Sequence, residues 1–219
     1  MNSPTAIEIL DLTRCFGELT ALDHISLRVG SGQIFGLLGP NGSGKSTTIK
    51  ILTTLLKPSA GTARVADFDI MEHPAQVRAH IGYVPQALSA DGALTGHENL
   101  LLSARLYGVP KEQRNERIQT ILQFMQLADA AEKLVKYYSG GMIRRLELAQ
   151  AMLHRPAVLF LDEPTIGLDP VARFLVWEHL KDLRNTFKMT VLITTHDMEE
   201  ADALCDELAF LHQGKIVGQ

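Results

Sequence analysis

Three groups of residues in this chain have the types and spacings that phosphate chemistry requires. Gly39 to Thr47 reads Gly-Pro-Asn-Gly-Ser-Gly-Lys-Ser-Thr and satisfies the pattern G-x-x-x-x-G-K-[ST]. In that pattern the glycines let successive backbone N–H groups curl round an anion, the lysine reaches the β- and γ-phosphates, and the hydroxyl after it ligates Mg²⁺. Gly39, Pro40, Asn41, Gly42, Ser43 and Gly44 would form the cradle, Lys45 the reaching cation, Ser46 the metal ligand, with Thr47 closing the motif. A dinucleotide fingerprint, G-x-G-x-x-G, cannot be laid over these glycines, because Lys45 and Ser46 stand where it needs a further Gly. The second group is Asp162-Glu163, two carboxylates delivered at the end of the apolar run Val158 to Leu161. Ligands of open α/β sheets sit at that edge, and paired acids there are costly without a job. The third is Gln86, just beyond a run closed by Pro85, together with His196-Asp197, which ends another run. Alone, such a Gln is unremarkable and such a His is more often structural.

These residues need rigid elements behind them. Ile34 to Leu38 reads as a strand entering the phosphate loop, and Ser46 to Leu56 as the helix leaving it, with Ile49, Leu52 and Leu56 on one face and a stop at Lys57 to Gly61. Upstream, the alternating segment Ile7 to Leu12 and the run Ile25 to Val29 read as strands of a small antiparallel layer, followed by a short strand at Thr62 to Val65. Between the first two, Arg14-Cys15-Phe16-Gly17 puts an aromatic at a turn, where a base could stack or where Phe16 could simply be core. Ile81 to Gln86 is a further strand ending at its proline. From Leu88 to about His154 the pattern turns helical, over Glu98 to Tyr107, Glu112 to Met125 and Met142 to His154. In the last of these Met142, Leu146, Ala149 and Leu153 share a face. Arg144, Arg145 and Glu147 lie largely off it, and the spacing leaves open whether the two arginines are a solvated face.

Ser139-Gly140-Gly141 opens that helix, with Ser139 placed to cap it and two glycines exposing N–H groups: a second anion-ready terminus. Val158 to Leu161 suits a parallel strand buried on both faces. A helix at Val171 to Thr186, a strand at Thr190 to Thr195, and a closing pair at Leu208 to His212 and Lys215 to Val217, turning through Gln213-Gly214, complete an α/β pattern.

A chain of 219 residues with 46% apolar content can bury one sizeable core. No apolar run approaches the roughly 18 residues that span a bilayer, and the N-terminus, interrupted by Glu8 and Asp11, does not read as a signal peptide. The expectation is a soluble, cytosolic chain. A formal net charge of -4 gives no field for nucleic acid or anionic lipid, so no nucleic-acid partner is expected. Cys15 and Cys205 have no metal or redox spacing and read as reduced, partly buried thiols.

In order and over essentially its whole length, the chain resembles the ATP-binding subunit of ATP-binding cassette (ABC) transporters. Gln86 falls at that family's Q-loop, Ser139-Gly140-Gly141 at its signature, Val158 to Asp162 at its second nucleotide motif, Gly167-Leu168-Asp169 at its D-loop, and His196 at its switch histidine. The resemblance implies a phosphate-loop ATPase core of about 1–86 and 155–219, mainly parallel sheet with helices and a small antiparallel layer, plus an inserted helical subdomain of about 87–154. It implies ATP and Mg²⁺ as ligands, with Ser46, Gln86 and, through water, Asp162 at the metal. It makes Glu163 the acid that polarises the attacking water, with Lys45, Gln86 and His196 around the γ-phosphate and Phe16 against adenine.

It also implies two partners. One is a second ATP-binding subunit, paired head to tail so that Ser139, Gly140, Gly141 and Asp169 complete the site of the other; the other is an integral membrane permease at the cytoplasmic face. The signature here is Tyr138-Ser139-Gly140-Gly141-Met142, where many members have Leu first and Gln last. Its continuation, Met142 to Glu147, resembles the branch of drug-resistance and oligosaccharide or lipid-linked exporters of the daunorubicin type. That branch often carries a further C-terminal segment, which leaves a truncated chain and a minimal subunit both open.

Overall fold

The computed structural model describes residues 4–219. In chain order its strands are β1 (Thr5–Phe16), β2 (Leu19–Gly30), β3 (Ile34–Leu38), β4 (Ala60–Val65), β5 (Phe68–Asp69), β6 (Ile81–Val84), β7 (Val158–Asp162), β8 (Thr190–Thr195), β9 (Glu207–His212) and β10 (Lys215–Gly218). Its helices are α1 (Lys45–Leu52), α2 (Pro74–His80), α3 (Gly96–Leu106), α4 (Lys111–Phe124), α5 (Gly140–Met152), α6 (Pro170–Phe187) and α7 (Met198–Leu204).

Alternation decides the first layer. On β2, Ile25, Leu27 and Val29 are buried while Ser26 and Arg28 are exposed, and Ile9 pairs with Leu27 across the antiparallel β1–β2 ladder. With β4 and β5 this makes a four-stranded sheet in the order β2-β1-β4-β5. The second sheet has six strands in the order β10-β9-β3-β8-β7-β6, parallel from β9 through to β6, with β10 added antiparallel at the edge.

The inner strands of this second sheet are buried on both faces, which is why their sequences run apolar without alternating. Leu159, Leu161, Val191 and Ile193 point into a cluster shared with α5 and α6, whereas Val158, Phe160, Leu192, Phe35 and Leu37 point into one shared with α1 and the antiparallel layer. Phe160 is fully buried, so Phe160→Ala would cost about 3–5 kcal/mol. Between β6 and β7 the chain passes through α3, α4, two short 3₁₀ turns and α5 without a strand, the helical insertion that the pattern predicts.

Two expectations are corrected, and one alternative left open by the spacing is decided. The helix after the phosphate loop ends at Leu52 rather than Leu56: Thr53 turns its hydroxyl back to the Ile49 carbonyl, Thr54 takes a left-handed φ of 63°, and Leu56 packs on the core from outside the helix. The short helices α2 and α7 fall where no helix was predicted, seven residues each being too few to set up a periodicity. Of the two arginines that the spacing left open as a solvated face, Arg144 is buried, together with its neighbour Glu147. They are 1% and 3% exposed, and Arg145 is half-buried.

The parallel strands bring their C-terminal ends to one edge. There β3 runs into the phosphate loop, β6 into Pro85-Gln86, β7 into Asp162-Glu163, and β8 into Thr195-His196.

Candidate functional site

The phosphate loop leaves β3 and ends in α1, whose N-cap is Gly44 at a φ of 113°. A Cβ at Gly44 would come within 2.8 Å of the Ala21 carbonyl oxygen, so both the backbone angle and the space demand glycine. No side chain caps α1 and no acid lies in its first turn. Its leading N–H groups are therefore free to donate to an anion. Ser43 Oγ is also buried inside the loop without a hydrogen-bond partner. Lys45, 4% exposed, folds back over the loop, donating to the carbonyls of Gly39 at 2.7 Å and Pro40 at 3.1 Å.

The two carboxylates at the end of β7 have separate surroundings. Asp162 accepts from Ser46 Oγ at 3.1 Å and from Thr194 Oγ1 at 2.7 Å, both on Oδ1. Burial, with Asp162 beside it, pushes the Tyr83 hydroxyl above the usual phenol range. Glu163 meets three cations or donors. Lys45 Nζ lies 3.2 Å from Oε1, while Gln86 Nε2 at 3.4 Å and His196 Nδ1 at 3.3 Å face Oε2. Its backbone is left-handed, with a φ of 48°, and its N–H is shared between the Thr194 carbonyl and hydroxyl at 3.1 Å each. A non-glycine residue held this way is strained, and such strain concentrates at working sites.

Lys45, Ser46, Gln86, Asp162, Glu163 and His196 thus form one connected group. A hydroxyl and a carboxylate oxygen converge from Ser46 and Asp162, a hard oxygen set that suits Mg²⁺ when phosphates supply further ligands. Among the described residues no three His, Cys, Asp or Glu side chains could hold a metal by themselves. Gln86 is placed toward Glu163 and makes no hydrogen bond to Ser46 or Asp162.

The other expected residues lie elsewhere. Ser139 caps α5, accepting from the Met142 N–H at 3.3 Å. With Gly141, Arg145, Asp169 and the start of α6 it lines a separate cleft of about 200 Å³. Gly141 sits so close to α6 that an added Cβ would be 2.8 Å from that of Ala172. Asp169 caps α6, accepting from the N–H groups of Val171 and Ala172 at 3.0 Å each. Phe16 ends β1, 46% exposed, with the Arg14 guanidinium 4.5 Å from its ring centre. Both cysteines are half-buried, and burial with Glu200 and Asp206 nearby pushes the Cys205 thiol up to about 12.

Several participants escape the sequence. Thr194 holds both carboxylate positions. Glu200, 2% exposed, accepts from Thr165 Oγ1 at 2.6 Å and Trp177 Nε1 at 3.0 Å, tying the segment after His196 to the stretch after Glu163. Arg144 donates to the carbonyls of Pro85 and Gln86. One local signal existed: Asp197 followed by two glutamates marks the N-cap of α7, where it accepts from both of their N–H groups.

Fold and site together define a phosphate-loop nucleotide hydrolase with a helical insertion. Residues 22–166 match the family model described as ABC transporter. The chain is 43% identical to the daunorubicin/doxorubicin resistance ATP-binding protein of Streptomyces peucetius, over 100% of this chain and 67% of that protein. It is 42% identical to the Nod factor export ATP-binding protein I of Ralstonia nicotianae, over 100% and 68%. A solved ATP-binding cassette of an ABC transporter superposes with a TM-score of 0.88 at 28% identity, over 99% of this chain and 91% of that one. The chain belongs to the ABC transporter family, as an ATP-binding and ATP-hydrolysing subunit. Membership implies a membrane-spanning permease as partner, and no helix among the described residues is long and apolar enough to cross a membrane.

Proposed function

We propose that this subunit drives export, hydrolysing ATP between two copies paired head to tail on the cytoplasmic face of a membrane permease. The single observation that carries the chemistry is the setting of Glu163, strained, nearly buried and surrounded by Lys45, Gln86 and His196. The entering γ-phosphate takes Lys45 from Glu163, since a phosphate competes better for the ammonium than one carboxylate does. Glu163 is then free to accept a proton from the attacking water, with Gln86 orienting that water and His196 donating to the γ-phosphate. Ser46 and Asp162 would hold Mg²⁺, which when bound supplies positive charge to the phosphate oxygens.

Ser139 and Gly141 belong to a cleft separate from their own phosphate loop. That separation supports their service, with Asp169, to the nucleotide of a partner copy. The stretch of about 87–154 acts as the helical subdomain that carries them. Export as the direction is drawn from the two relatives, one a drug-resistance and one a Nod factor export ATP-binding protein.

Glu163→Gln tests the reading. Removing a general base lowers turnover about 10²- to 10⁴-fold, while ATP affinity is retained; turnover equal to the parent's would remove Glu163 from the chemistry. The same variant, loaded with ATP and recovered from solubilised membranes of the native host, is expected to bring a polytopic membrane protein with it. Recovery of ribosomes or nucleic acid instead would end the transport reading.

A further inference from the structure

We propose that the buried pair of Arg144 and Glu147 is a clamp that positions Gln86 from the signature helix. The inference rests on the role given to Gln86 above. Arg144 spends one arm of its guanidinium on the Pro85 carbonyl at 2.7 Å and the other on the Gln86 carbonyl at 2.8 Å. Glu147, one turn along α5, spends Oε1 on the backbone N–H and the hydroxyl of Ser89, the latter at 3.0 Å. The remaining oxygen, Oε2, lies 2.9 Å from Arg144 Nη1 but off the hydrogen-bonding direction, so the contact between the two residues is chiefly one of charge. Each charge therefore makes the burial of the other tolerable, while the directed bonds of both go to residues 85 to 89. Gln86 is gripped on either side, and its own carboxamide extends from that grip to Glu163 Oε2 at 3.4 Å.

A pair that served stability alone would have no need of this geometry, since well-packed apolar residues do as well or better in a core. What the ions add is direction. A planar fork on two successive carbonyls fixes the rotation of the segment that bears Gln86, which a lysine, as a point charge, does not. Arg144 lies five residues from Ser139 on one continuous helix, about 7.5 Å along its axis. Because an α-helix moves as a rigid piece over that length, a shift at Ser139 and Gly141 is handed to Gln86. Gln86 thus travels with α5, while Glu163 stays with the sheet, and the contact between them is made or broken as the two move. Arg144 and Glu147 touch neither substrate nor metal and act as positioning residues.

The test is a double-mutant cycle on the full-length subunit. Replacing both charges, Arg144→Met with Glu147→Met, leaves no orphaned ion. This variant is expected to keep its unfolding transition and an ATP affinity within about threefold, and to lose about 10- to 100-fold in kcat, the loss typical of a misplaced group. In a Gln86→Ala background the same two substitutions should cost less than about twofold, because the clamp acts through the carboxamide already removed. Arg144→Lys, which keeps the charge but not the fork, should fall between. Parental turnover in the double variant overturns the clamp, and so does a full loss that persists in Gln86→Ala, which would make the pair merely structural. Parental turnover in Gln86→Ala alone overturns the role of Gln86 itself and the clamp with it, a distinguishable result. Should the double variant fail to fold, the cycle of Arg144→Lys with Gln86→Ala is read by the same criteria.

Discussion

Phe16 separates two uses of an aromatic at the level of one side chain. At 46% exposure it is not a core residue, and Arg14, anchored by its bond to the Lys57 carbonyl at 2.9 Å, lies against its ring. We propose this exposed, anchored ring as the platform for the adenine of ATP. Phe16→Ala is expected to weaken ATP binding about 2- to 10-fold, the worth of one aromatic stack, while stability changes by about 0.5 kcal/mol or less, as for a surface position. A nucleotide titration and a denaturant curve on the same sample check both; unchanged ATP affinity would leave Phe16 without a role at adenine. The residues legible in the sequence are those whose chemistry needs fixed neighbours, such as Gly44, Lys45 and Ser46, or the adjacent acids 162 and 163. Thr194, Arg144 and Glu200 were not legible. Arg144 meets Pro85 from 59 positions away and Thr194 meets Asp162 from 32, and no local spacing records such a meeting.

Among elements, the junction of α3, α5 and β6 turns on His154. Its ring stacks on Tyr107 with centres 4.0 Å apart and planes at 6°, and its Nε2–H donates to the Ile81 carbonyl at 2.9 Å. Nδ1 is buried without a partner, so a proton there would be stranded. Burial holds the imidazole below its usual pKa, outweighing the help of the Ile81 carbonyl, with Arg117 and His80 adding to the depression. The unfolded chain takes up a proton near pH 6.5, and the folded one resists it. Stability from this group is therefore complete above about pH 6.5 and lost as pH falls below it. His154→Gln should flatten that part of the stability curve; denaturant midpoints measured from pH 7.5 down to 5.5 decide, and parallel curves for parent and variant would refute it. The buried parallel strands and the helical insertion were readable because long apolar runs and helical spacing set the pattern, whereas the order of the strands in the sheet is written in no local run. The end of α1 was not readable either, since Leu56 continues the periodicity while Thr54 turns the backbone left-handed.

For the molecule as a whole, the decisive fact is that the phosphate-loop group and the Ser139 cleft do not meet within one chain. Lys45 and its companions lie at the sheet edge, and Ser139 lies in the cleft with Asp169. On the proposed pairing, Lys45→Ala and Ser139→Arg each silence both sites of their own dimer. Mixed in equal amounts, they should recover about a quarter of the parental sites, since half the dimers are mixed and each of those has one intact site. Mixing and assaying ATP turnover is enough, and no recovery above the separate variants would argue against shared sites. The same division has a consequence for inheritance. On the proposed pairing, a cell making a Ser139→Arg chain beside the parental one in equal amounts would find about three quarters of its dimers carrying at least one defect while about half of all sites stay intact. The mutant allele would then act as a dominant negative where transport needs both sites of a dimer and as a simple half-dose loss where one site suffices.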